Sequence, residues 1–188
     1  AMIGSNVAGR NLDAPALEPL WATAAELGVL VLVHPVNVAG VERMRSYYLN
    51  NLIGNPLDTT IAAACLGFGG VLDRYPKLKV LLVHGGGFVP YQAGRWVHGW
   101  RVRPEPKVNV AHSPEPWLDR FYYDTILHAL PQLEFLVASV GAARVLLGSD
   151  YPYDMGTDEC VRQVKALSIP DAAKAMLLNG NAAKLLGL

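Results

Sequence analysis

The chain has 188 residues, 52% of them hydrophobic, which is enough for one sizeable core and predicts a single domain over residues 1–188. Sixteen basic residues balance 16 acidic ones, so no excess of charge marks a nucleic-acid or anionic-membrane partner. Two cysteines cannot build a disulfide framework, and the longest uncharged apolar stretch, residues 61–72, is too short to span a bilayer. With no basic stretch, apolar run and cleavage site at the start, the expectation is a soluble cytoplasmic protein.

Short apolar runs alternate with helical segments along the chain. Residues 1–5 read as a first short strand. Residues 15–27 read as a helix, with Asp13 as N-cap and Gly28 as its stop. Residues 29–33 are uniformly apolar, the signature of a strand buried on both faces. A helix is predicted over 58–73, with Ile61, Cys65, Phe68 and Leu72 on one stripe and Tyr75-Pro76 ending it. A strand over 79–83 follows. Residues 101–116, with four prolines, form a long irregular connection. A strand over 124–126, a helix over 130–140 stopped by Gly141, a strand over 144–147 and a helix over 155–167 come next. A last helix is capped by Ser168 with Asp171 in the capping-box position and closed by Gly180. The resulting β-α-β-α-β-α-β-α-β-α order argues for parallel strands joined by right-handed crossovers. An open doubly wound sheet and a (β/α) barrel both satisfy it.

Three of these strands end in residues fit for metal or proton chemistry: His34-Pro35, His84-Gly85-Gly86-Gly87 and Gly148-Ser149-Asp150. Sites of parallel α/β folds lie at the carboxyl ends of strands. Each ending has a bland reading: a lone histidine as a structural residue, Asp150 as the N-cap of a following helix, the glycines as a turn or a phosphate cradle. No Lys-Ser/Thr follows the glycines as in a P-loop, and no G-x-S-x-G elbow surrounds Ser149. Together the three endings favour a site. Imidazole and carboxylate are the donors expected for zinc or a similar divalent ion, and an unligated histidine beside it can move protons. His98, His112 and His128 are predicted to be structural, and the basic residues Arg101, Arg103 and Lys107 to form a solvated loop.

At His34-Pro35, His84-Gly85-Gly86-Gly87 and Gly148-Ser149-Asp150-Tyr151-Pro152 the chain resembles the amidohydrolase-related (amidohydrolase 2) proteins, aminocarboxymuconate-semialdehyde decarboxylase among them. Residues 72–80, leading into the histidine-glycine motif, and residues 180–188 extend the likeness over essentially the whole chain. The resemblance implies a distorted (β/α)8 TIM barrel with one catalytic divalent metal, usually zinc. His34 would be a metal ligand from the fifth strand and Asp150, from the eighth, both ligand and part of the catalytic machinery. His84, from the sixth, would be the acid/base. Arg95 would reach a neighbouring subunit's site and hold a substrate carboxylate, which implies a homodimer or higher homo-oligomer. The family pattern opens with a His-x-His pair, yet no histidine precedes His34 and five strands are counted in place of eight. The expectation is therefore that the chain corresponds to the last five β/α units. The implied function is a metal-dependent decarboxylase of a small aromatic or unsaturated carboxylate. A metal-dependent hydrolase of a lactone, ester or amide, and a catalytically inactive truncated chain, are the alternatives.

Overall fold

The structure is a computed structural model that describes residues 1–188. Five strands, β1 (Met2–Gly4), β2 (Leu30–His34), β3 (Lys79–Leu82), β4 (Phe121–Asp124) and β5 (Val145–Leu146), form one parallel sheet in the order β1-β2-β3-β4-β5. This order decides between the two architectures. A doubly wound sheet reverses direction at a switch point, whereas strands that follow one another around a barrel stay in sequence. The sheet is a five-strand arc of the TIM-barrel type.

Side-chain alternation splits each strand between two environments. Val31 and Val33 of β2 are fully buried against the helical layer, while Leu30, Leu32 and His34 share the opposite, half-buried face. The helical layer comprises α1 (Glu18–Leu27), α2 (Asn55–Phe68), α3 (Val71–Arg74), α4 (Val89–Val102), α5 (Leu130–Val140), α6 (Cys160–Ala166), α7 (Asp171–Ala175) and α8 (Asn181–Leu186). Trp21, Leu66, Leu72, Val80, Leu82, Phe121, Tyr123, Leu133 and Val145 join in one continuous core. No helix is long and apolar enough to cross a membrane.

Several predicted elements are redrawn. The fourth predicted strand lies earlier, at Phe121–Asp124, because the Asp124 carboxylate accepts from the Ile126 backbone N–H and turns residues 125–126 out of the sheet. The predicted 58–73 helix begins at Asn55 and breaks at Gly70, which adopts φ 74° before α3. Its buried face runs through Thr59, Ala62, Ala63 and Leu66, not through Ile61, Cys65 and Phe68, which lie on its half-buried flank. Small alanines let the helix sit close to the strands, and burial follows contact distance more than side-chain size. No side-chain cap is made by Asp13 or Ser168; Ala14 and Pro170 occupy those cap positions. The predicted 155–167 helix is shortened to α6, since residues 153–157 turn back onto the end of β5, with the Thr157 N–H bonding the Ser149 carbonyl at 2.8 Å. Gly180 does not close the last helix. It keeps φ −60°, and the buried Asn181 amide binds the Ala142 and Val145 carbonyls at 2.8 and 2.7 Å, anchoring continuation into α8.

One buried polar network ties the site's scaffold together. Asp58, 4% exposed in the first turn of α2, accepts hydrogen bonds from Ser5 Oγ, from Asn6 Nδ2 at 3.0 Å and from the Ala39 N–H at 3.0 Å. It thereby joins the end of β1 to the segment that follows His34. Asp58→Ala strands these donors, so stability should fall by about 3 kcal/mol. Urea denaturation of the parent and the variant measures this.

Candidate active site

The carboxyl ends of β2, β3 and β5 bring three side chains to one point. His34 is the last residue of β2; His84 and Asp150 follow the ends of β3 and β5 by two and four residues. One ligand atom from each lies within 4.8 Å of the others. His34 Nε2 is 3.9 Å from Asp150 Oδ1, and His84 Nε2 is 3.8 Å from the same oxygen. The two imidazole rings meet edge-on, their centroids 5.5 Å apart. Only 17%, 14% and 8% of the His34, His84 and Asp150 side chains are exposed, so water does little to screen the cluster.

The hydrogen bonds give the tautomer of His34. Its Nδ1 lies 3.1 Å from the Pro35 carbonyl oxygen, an acceptor only, so Nδ1 carries the proton. Nε2 then turns its lone pair towards Asp150, and this buried atom has no hydrogen-bond partner. A partnerless imidazole lone pair beside a buried carboxylate is a donor set for a divalent ion. Two donors each about 2.0–2.2 Å from a shared zinc stand roughly 3–4 Å apart. Tyr153 stacks on His34 at 5.2 Å and 22° between planes.

His84 sits on a strained turn. Its φ is 57°, and Gly85, Gly86 and Gly87 are all left-handed. A Cβ on Gly87 would come 2.2 Å from the Pro56 carbonyl oxygen, so only glycine lets the turn lie against the start of α2. The glycine N–H groups are consumed internally: Gly85 bonds Asp124 Oδ1 at 2.8 Å, Gly86 the Val83 carbonyl and Gly87 the His84 carbonyl. None is left to cradle a phosphate, and the glycines are a turn. Burial holds the His84 imidazole below its ordinary range, opposed by the Asp150 charge, so neutral imidazole prevails at neutral pH.

Asp124 escaped the sequence reading because the sequence places it at the start of a strand, whereas it closes β4. It is fully buried, its carboxyl pushed up to about 6 by desolvation despite accepting from Gly85 and Ile126. The folded protein therefore binds a proton at Asp124 more readily than the unfolded chain does, and this group's contribution to stability grows as pH falls below about 6. Asp124→Asn removes that dependence. Its stability relative to the parent should shift in the parent's favour between pH 7.5 and pH 5, measured by urea unfolding at both.

A cavity of about 310 Å³ opens beside the cluster. His84, Asp150, His128 and Asn51 line it with polar groups, and Phe88 and Leu127 are among its apolar walls. Asp150 does not cap a helix; α6 begins ten residues later. Arg95 stands apart, exposed on α4, outside the cavity and without an ion pair or side-chain hydrogen bond. His98 is exposed on the same helix, and His112 lies 3.9 Å from Asp73 at the surface. His128, expected to be structural, belongs to the cavity.

The amidohydrolase family model matches residues 3–188. The chain belongs to the amidohydrolase family. It is 40% identical over 191 aligned residues to the 2-amino-3-carboxymuconate-6-semialdehyde decarboxylase of Dictyostelium discoideum, an alignment that covers 99% of this chain and 52% of that relative. Among solved structures, the 5-carboxyvanillate decarboxylase of Sphingomonas paucimobilis superposes with a TM-score of 0.90 at 25% identity, covering 100% of this chain and 58% of the other. The 5-carboxyvanillate decarboxylase of Novosphingobium aromaticivorans, complexed with manganese and 4-hydroxy-3-methoxy-5-nitrobenzoic acid, gives 0.86 at 24%, with 100% and 56% covered. This amidohydrolase chain thus spans about half the length of the relatives it matches.

Proposed function

We propose that this chain carries catalytic strand ends of a metal-dependent decarboxylase acting on a small aromatic or unsaturated carboxylate. The convergence of His34, His84 and Asp150 within 4.8 Å supports it most directly. His34 and Asp150 would hold a divalent ion, zinc by the chemistry of an imidazole and a carboxylate donor. When bound, that ion supplies Lewis-acid stabilisation of the charge developing on the substrate. His84, facing the same point and neutral at rest, takes a proton from solvent water and becomes the imidazolium. As the carbon–carboxylate bond breaks, carbon dioxide leaves, the remaining electron pair takes up the Nε2 proton and the imidazole returns to its neutral form. Its lowered basicity suits a group that must give a proton up as readily as take it.

The apolar walls of the cavity suit a flat ring, and Arg95, with no partner on its own chain, is free to reach a carboxylate in the site of a second copy. We take the protein as a homodimer for that reason. Two cysteines left as thiols fit a cytoplasmic location. Carbon dioxide release from a panel of aromatic and unsaturated acids, with zinc or manganese supplied, tests the reaction. Release from at least one acid is expected. Hydrolysis of a lactone or ester, with no release from any acid, would overturn it in favour of a hydrolase.

A further inference from the structure

Seven non-glycine residues take a positive φ, and three of them, His84, His128 and Asp150, line the same cavity. They occupy comparable places, each shortly after β3, β4 or β5. Left-handed backbone is costly for a residue with a Cβ and concentrates where a side chain must be aimed at a site. Two of the three are already placed in the candidate catalytic cluster. The third, at φ 60°, has no hydrogen bond and no ion pair with any other side chain, although it is an exposed polar group beside a charged cluster. Asp150 is the cavity's only carboxylate, so any further anionic oxygen on a bound molecule meets imidazole and the Asn51 and Asn55 amides.

We propose that His128 is a substrate-binding residue that hydrogen-bonds an oxygen substituent on the ring of the substrate, distinct from the carboxylate that leaves. The inference rests on the decarboxylase reading and adds to it the residue that contacts the substrate's second oxygen function, a hydroxyl or another carboxylate. The apolar walls at Phe88 and Leu127 take the ring, and the imidazole takes its polar rim. An imidazole can donate to either oxygen function, and an exposed donor with no protein partner exchanges only a bond to water for one to a ligand.

Glycine is the informative replacement, because it adopts positive φ without strain. His128→Gly should keep or raise the thermal midpoint and leave manganese binding unchanged. Calorimetric titration of the manganese-loaded protein with 2-hydroxybenzoate and with benzoate then reads the side chain. 2-Hydroxybenzoate should bind the variant about 10-fold more weakly than the parent, and benzoate within about 2-fold. His128→Asn, which tolerates the same backbone and keeps an amide donor, should recover part of the loss. Equal weakening of both acids, or of neither, would overturn the role of His128 alone. A parent that binds manganese but neither acid would overturn the decarboxylase reading and this inference with it.

Discussion

His84→Asn should leave the ion content of the protein at the parental level and lower the rate of carbon dioxide release by about 10²- to 10⁴-fold, the range for loss of a positioned proton donor. Asparagine is the appropriate replacement because φ 57° at this position would strain alanine while asparagine tolerates it. The expectation follows from the different surroundings of the two histidines. His34 uses Nδ1 on the Pro35 carbonyl and keeps a committed lone pair at Nε2, whereas His84 Nδ1 has no partner and its Nε2 faces the Asp150 carboxylate at 3.8 Å. A histidine whose Nε2 faces a carboxylate is suited to hold and pass on a proton there; one locked by a carbonyl is suited to ligation. Ion content by atomic absorption and turnover by carbon dioxide release separate the two roles. An empty site in His84→Asn, with a filled one in His34→Ala, would reverse them.

The order of elements and the three strand ends were legible because both depend on local pattern. Uninterrupted Val and Leu runs mark buried parallel strands, and their last residues name the site's side chains wherever the fold closes. Element limits were less legible where a tertiary contact outweighs local preference. Gly180 reads as a helix stop, yet the two carbonyls bound by Asn181 hold the helix open to α8. Ile61, Cys65 and Phe68 read as a core stripe because they are the larger apolar residues, while contact with the sheet selects Ala62 and Ala63.

His128 and Asp124 were missed for related reasons. His128 follows β4 by four residues, as Asp150 follows β5, but no flanking glycine or proline motif marks it, and it lines the cavity on a left-handed backbone. Backbone sign at a non-glycine residue leaves no mark in composition or periodicity. Asp124 reads as the polar start of a short strand. Its work is done on the N–H groups of a turn 39 residues earlier in the chain, a pairing visible only once β3 and β4 lie side by side.

His34→Ala and Asp150→Gly, glycine because Asp150 has φ 58°, should each abolish ion binding at concentrations that saturate the parent, and with it the stabilisation the ion provides. At an ion concentration 100 times its dissociation constant, the parent should gain about 2.7 kcal/mol, or roughly 5–10 °C in thermal midpoint for a chain of this size. Neither variant should shift. The two losses differ in the ion-free protein. Removing Asp150 deletes a carboxylate only 8% exposed whose charge opposes the burial-driven fall in His84 basicity, so the proton affinity of His84 should drop further. Removing His34 deletes an imidazole that acts on His84 in the opposite sense, and the same affinity should rise. Nuclear magnetic resonance titration of His84 in the two ion-free variants reads these opposite signs directly. Shifts in the same direction would show that the three side chains do not share one electrostatic site, and the assignment of His34 and Asp150 as joint ligands would fall with it.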